Sequence, residues 1–176
     1  MGEPRAQALF FDKYERDVRK VLVRILGTCP DVADAMQDTF IRAFKSASQV
    51  KDAMALRGWL LRVAVTVACD QLRRRQRTRW LVFTSEPSIE VHVTTASPEL
   101  RAALRDTYKV LDKLPNEERI AFALRHIHEM ELEEVADACN VSLSTIKRRL
   151  SKAELRFRTI ARRQPNLADW IDEEAR

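Results

Sequence analysis

Glycine is nearly missing from this chain: there are three in 176 residues. β-like alternation is equally scarce, and together these favour an all-helical protein. Cysteine is scarce too. Cys29, Cys69 and Cys139 are odd in number and far apart, which argues against a disulfide framework and against a zinc site. His126 and His128 are two apart, so on a helix they point to different sides and make no metal pair. Neither a metal nor a cofactor is expected. No apolar run approaches the roughly 18 residues of a spanning helix, and the start of the chain lacks a signal-peptide pattern. The sequence therefore reads as a soluble, cytoplasmic protein without membrane insertion. No Ser, Tyr or carboxylate cluster has a base, a metal-ligand set or a phosphate loop beside it, which speaks against an enzyme.

What is plentiful is positive charge, and it is clustered. The formal net charge is +5. Arg73, Arg74, Arg75, Arg77 and Arg79 form one run, and a second extends from Lys147 to Arg163. Such clusters suit a polyanionic partner without specifying it.

The stretch Leu132 to Ala153 is more specific. Val135, Ala136 and Cys139 give a first short helix one apolar face. Asn140 stands where the chain must reverse, and Asn tolerates the left-handed conformation. Ser142 or Ser144 can cap a second helix beginning near Leu143. Ile146, Leu150, Ala153 and Phe157 then recur at helical spacing. This is the helix-turn-helix pattern. On the second helix Ser144, Arg148, Ser151 and Lys152 lie opposite the apolar side, flanked by Thr145 and Lys147. That face has donors, positive charge and no carboxylate, as a helix entering the major groove requires. A solvated face on a core helix would share the basic stripe alone; the turn and the first helix favour DNA.

The rest of the chain follows in order. Gln7 to Leu26 reads as a helix with Leu9, Phe10, Tyr14, Val18, Val21, Leu22 and Ile25 as its stripe, broken by Gly27, Thr28 and Pro30. Asp31 is a candidate N-cap for a helix from Val32 to Ser46. Its core side is Ala33, Met36, Phe40, Ala43 and Phe44; the other side holds Asp34, Asp38, Ile41, Arg42 and Lys45. Ile41, ringed by charges of both signs, fits the centre of a protein-binding patch as well as an ordinary exposed apolar residue. After a loop at 49–55, a helix from Leu56 to about Gln76 is apolar on two sides, so it should pack centrally. Its polar stripe is Arg62, Thr66, Cys69 and Arg73 with Trp59 at the edge. An aromatic beside arginines suits unstacked bases, and equally a core Trp with snorkelling Arg side chains. Residues 7–80 form a first domain on this reading.

Residues 81–98 are rich in Thr, Ser, Val and Pro and read as an interdomain linker. Extended, it reaches about 60 Å, more than the roughly 34 Å of one DNA turn. A second domain, 99–163, opens with a stripe of Leu100, Leu104, Tyr108, Leu111 and Leu114; Pro115 starts the next helix, and the helix-turn-helix follows. Residues 164–176 form an acidic tail with Trp170.

Four segments in this order resemble the extracytoplasmic-function (ECF) group of bacterial sigma factors: DVADAMQDTFIRAF (31–44), GWLLRVAVTVACDQLRRR (58–75), LPNEERIAFALRHI (114–127) and EEVADACNVSLSTIKRRLSKAE (133–154). The resemblance implies region 2 and region 4, each all-helical. It implies that Asp34, Gln37, Asp38, Ile41 and Arg42 meet the β′ coiled coil of core RNA polymerase, with the β flap as a further contact. Trp59, Arg62, Thr66, Arg73, Arg74 and Arg75 would serve the −10 element of promoter DNA. Ser144, Thr145, Lys147, Arg148, Ser151 and Lys152 would serve the −35 element, and Arg149 a phosphate. An anti-sigma factor is a further implied partner. Thr66 stands where Asn is common in the family, and Val50, Lys51 and Asp52 where Phe-Arg-Gly is common. The competing reading is a helix-turn-helix regulator that binds operator DNA without joining polymerase.

Overall fold

A computed structural model describes residues 4–47, 50, 52, 54–81 and 97–167, excepting the side chains of 78–81. Among them there are helices and no strands. The order is α1 (Pro4–Leu26), α2 (Asp31–Ser46), α3 (Leu56–Leu81), α4 (Pro98–Leu111), α5 (Asn116–Phe122), α6 (Leu132–Cys139) and α7 (Leu143–Ala161). A π-helical turn, Ala123–Ile127, prolongs α5. Most of the expected linker, 82–96, lies outside the described residues, as does the tail beyond Leu167.

α1 buries Tyr14, Val18, Val21, Leu22, Ile25 and Leu26, the stripe its spacing predicts. Leu9, assigned to that stripe, is exposed; at that level of α1 it is Phe10 and Phe11 that meet Phe40 of α2. α2 buries Val32, Ala35, Thr39, Phe40 and Ala43. Ala33 is exposed, one residue off the expected core side. Asp31 does not cap α2: the N-cap is Pro30, and the Asp31 carboxylate instead accepts from Arg75 Nε at 2.5 Å. Leu100, expected in the α4 stripe, is likewise exposed, because it lies in the first turn of that helix.

α3 is central, as its two apolar sides require. It packs on α1 and α2 and also on α5 and α6. One hydrophobic core therefore runs from Tyr14 and Leu22 through Leu60, Val65 and Leu72 to Ile120, Val135 and Ile146. The two halves do not stand apart; they share this core. A smaller cluster of Val110, Leu114, Ala153, Ala161 and Leu167 closes α4 onto α7.

The seam between the halves has one cluster of polar contacts at the C-terminus of α1. A helix end leaves its last carbonyls unpaired. Gly27, at φ +83, turns the chain there, and an added Cβ would approach the Tyr108 ring to 3.3 Å. Tyr108 Oη donates to Val23 O at 3.1 Å, and Arg119 Nε donates to Ile25 O at 2.9 Å. Arg119 is buried and ion-paired with Asp112. Burial favours the neutral form of Arg119, and Asp112 holds the charge in place. Arg119→Leu should cost about 3–5 kcal/mol, because it strips Asp112 of its partner and leaves Ile25 O without a donor. Urea unfolding of the full chain measures it; a loss below 1 kcal/mol, the scale of an exposed pair, would show that the ion pair does not brace the seam.

Candidate DNA- and polymerase-binding faces

The turn before α7 forms as its residues dictate. Glu131 and Glu134 make a reciprocal capping box that starts α6. Asn140 adopts the left-handed conformation, φ 52 and ψ 49, and ends it. Ser142 then caps α7, its hydroxyl accepting from Thr145 N at 3.3 Å. Ile146, Leu150 and Ala153 are buried, which fixes the rotation of α7 about its axis. Ser144, Lys147, Arg148, Ser151 and Lys152 are exposed in consequence. None of the ion pairs among the described residues uses Lys147, Arg148 or Lys152. Glu154, the nearest acid along the helix, is engaged by His126 at 2.9 Å. Three cations thus project without local carboxylates, an arrangement suited to phosphates and guanine edges. Thr145 is half-buried, its hydroxyl 2.9 Å from that of Ser142.

Arg149 departs from this set. It is half-buried, and its charge acts on the thiols of Cys69 and Cys139. Burial pushes the Cys69 thiol up and the Cys139 thiol up to about 11, so both stay protonated.

The α3 stripe is divided. Arg62 and Thr66 are exposed; the Thr66 hydroxyl donates back to Arg62 O at 2.9 Å. Trp59 is half-buried against the core, so only part of its side chain is accessible. Arg73 is exposed but lies 3.8 Å from Glu117 and 3.9 Å from Asp70. Arg74 is exposed. Arg75 turns inward: its guanidinium bonds Asp31, Leu26 O and Cys29 Sγ. A run of arginines cannot reveal this, because only the partners brought by the fold distinguish its third member. Arg75 is a brace between α3 and the α1–α2 corner, and it leaves the DNA-facing set.

On α2, Asp34, Gln37 and Ile41 are exposed and Asp38 and Arg42 half-exposed. Arg42 Nη1 donates to Asp70 at 2.9 Å, which ties this face to α3. Sequence reasoning missed Phe11, exposed on α1 with its ring 4.7 Å from that of Phe40. An apolar residue outside its helix's core stripe was the available signal.

Residues 10–78 match the model of Sigma-70 region 2, and residues 104–157 match that of Sigma-70, region 4. The chain is 26% identical to the RNA polymerase sigma-H factor of Pseudomonas aeruginosa, over 86% of this chain and 84% of the relative. It is 30% identical to the ECF RNA polymerase sigma factor SigE of Mycolicibacterium smegmatis, over 80% of this chain and 56% of that protein. Its fold resembles the sigma factor RpoE of Bartonella quintana, solved with the anti-sigma factor NepR, at a TM-score of 0.65, covering 87% of this chain and 94% of that one at 22% identity. It also resembles CnrH, solved with the cytosolic domain of CnrY, at a TM-score of 0.59, 90% and 89% coverage and 20% identity. With both conserved regions matched in order on a shared helical frame, the chain belongs to the extracytoplasmic-function group of RNA polymerase sigma factors.

Proposed function

We propose that this protein joins core RNA polymerase through α2 and directs it to promoters with two DNA-reading helices, α3 at the −10 element and α7 at the −35 element. The carrying observation is the α7 face: Lys147, Arg148 and Lys152 exposed opposite Ile146, Leu150 and Ala153. The −10 set is Arg62, Thr66, Arg73 and Arg74 with the accessible part of Trp59. Asp34, Gln37, Asp38 and Ile41, with Arg42 braced on Asp70, form the face for the β′ coiled coil, and the β flap receives region 4. Ile41 in that ring of charge favours this over an operator-binding regulator, which would give the face no work. The protein acts as a polymerase subunit and not as an enzyme, in the cytoplasm where polymerase is. Among the described residues no helix is long and apolar enough to cross a membrane. An anti-sigma factor is the expected inhibitor, as in the complexes of RpoE with NepR and CnrH with CnrY. The direct test is run-off transcription by core polymerase on a promoter pool: discrete transcripts are expected only when this protein is added.

Two substitutions separate the faces. Asp38→Arg with Ile41→Ala should weaken co-purification with core polymerase at unchanged helical content, while DNA binding by the free protein persists. Undiminished polymerase binding would remove α2 from the interface.

Arg148→Ala should cost about 1–3 kcal/mol on the cognate upstream element and relax preference at one or two base positions. Loss of Lys147 or Lys152 should weaken binding to all sequences and reduce the salt slope by about one each if phosphates are their targets. Leu150→Lys should instead unfold the C-terminal half, because it buries a charge without a partner. The full chain is the material for these measurements, since both halves share the core. Unchanged affinity and preference in Arg148→Ala would mean that α7 does not present this face to DNA.

A further inference from the structure

The seam between the halves covers part of the surface assigned to DNA. Arg73 is held toward Glu117 of α5, and Gln76 Oε1 accepts from Asn116 Nδ2 at 3.5 Å. Cys69, in the middle of the α3 stripe, lies in the field of Arg149 from α7, as does Cys139. Only the Arg62–Thr66 end of the stripe is fully open. Nucleic acid that follows the stripe from Trp59 to Arg73 therefore needs region 4 to move off α3.

The same seam half-buries one histidine. His128 follows the π-turn, which packs on α1. Its Nδ1 is shielded from solvent and has no hydrogen-bond partner. The charges facing it are Asp17, Lys20 and Arg24 from α1 and Arg57 from α3. Asp17 is already occupied by Arg57 Nε at 2.7 Å, so Lys20 and Arg24 remain uncompensated there. On its own segment Glu129 is exposed.

We propose that this seam is a proton-sensitive closure: His128 sits in it as a neutral ring among cations, and its protonation drives region 4 off the α3 stripe. A third cation beside Lys20 and Arg24, with a buried nitrogen that must then donate to nothing, penalises the closed arrangement alone. Burial first, and then Arg24 and Arg57, hold the His128 pKa below the ordinary imidazole range. The sign follows. A group whose pKa is depressed in the closed form takes its proton more readily in the open form. Closure is complete above the ordinary imidazole pKa of about 6.5 and weakens as pH falls from there. Tyr108 stays protonated, its pKa pushed up by burial, and carboxylates ordinarily titrate about two pH units lower than imidazole. The closure stands on its own geometry; its consequence for DNA rests on the assignment of α3 above.

The experiment is small-angle scattering of the full chain at about pH 7.5 and about pH 5.5, bracketing the imidazole range, at constant ionic strength. Binding of a fluorescent random single-stranded oligonucleotide is measured in parallel, and circular dichroism monitors helical content. Acidification should enlarge the radius of gyration at constant helicity and strengthen oligonucleotide binding several-fold. His128→Gln should abolish the expansion, and His126→Gln should leave it intact. An unresponsive wild type, or expansion that persists in His128→Gln, overturns the proposal. Expansion without gain in oligonucleotide binding upholds the closure and counts against α3 as the DNA surface. Proton NMR titration of the wild-type rings needs no variant: His128 titrating at or above the ordinary imidazole value also overturns it.

Discussion

The C-terminal turn of α1 is the constraint on which the arrangement depends. Its carbonyls end inside the protein, where an unpaired acceptor is costly. Their donors come from distant parts of the chain. Tyr108 reaches Val23 O and Arg24 O at 3.1 and 3.4 Å, Arg119 reaches Ile25 O, and Arg75 reaches Leu26 O at 3.1 Å. Hydrogen bonding thus gathers α3, α4 and α5 around one helix end. The apolar core then continues across the seam without a break.

This places competing demands on α3. A helix buried on two sides has little surface left for a ligand, and what remains is the narrow stripe from Arg62 to Arg73. Part of that stripe is also where region 4 packs. α7 has no such conflict, since one side is core and the other faces water. The two helices proposed to read DNA therefore differ in availability within one conformation: the α7 face is presented, and the Cys69–Arg73 part of the α3 stripe is partly held.

Much of the fold was legible in the sequence because helical periodicity is a local property. The stripes of α1 and α7, the reversal at Asn140, the cap at Ser142 and the central position of α3 all follow from residues within a few turns of one another. The misreadings have a common cause. Leu9 and Leu100 have the right spacing but stay exposed, because spacing does not say which side chains near a helix end a neighbour will cover; at the level of Leu9 the contacts with Phe40 fall to Phe10 and Phe11. Asp31 has the right type for a cap, but Arg75 is the stronger partner. In the candidate site, the α7 set was legible because one buried stripe fixes its opposite face. Arg75 and Arg149 were not, since a basic residue reads alike whether its partner is phosphate, carboxylate or a buried carbonyl.

Residue spacing and type along the chain were enough for the helices, most of their buried faces and the helix-turn-helix, and four ordered segments carried the likeness to a sigma-factor group. Those are encoded in spacing and residue type along short stretches. The shared core of the halves, the closure of the α1 end by Tyr108 and Arg119, and the place of half-buried His128 near Lys20, Arg24 and Arg57 came from folding in three dimensions. Each of these joins residues that are far apart in the chain, and no local pattern encodes which distant donor will meet which carbonyl.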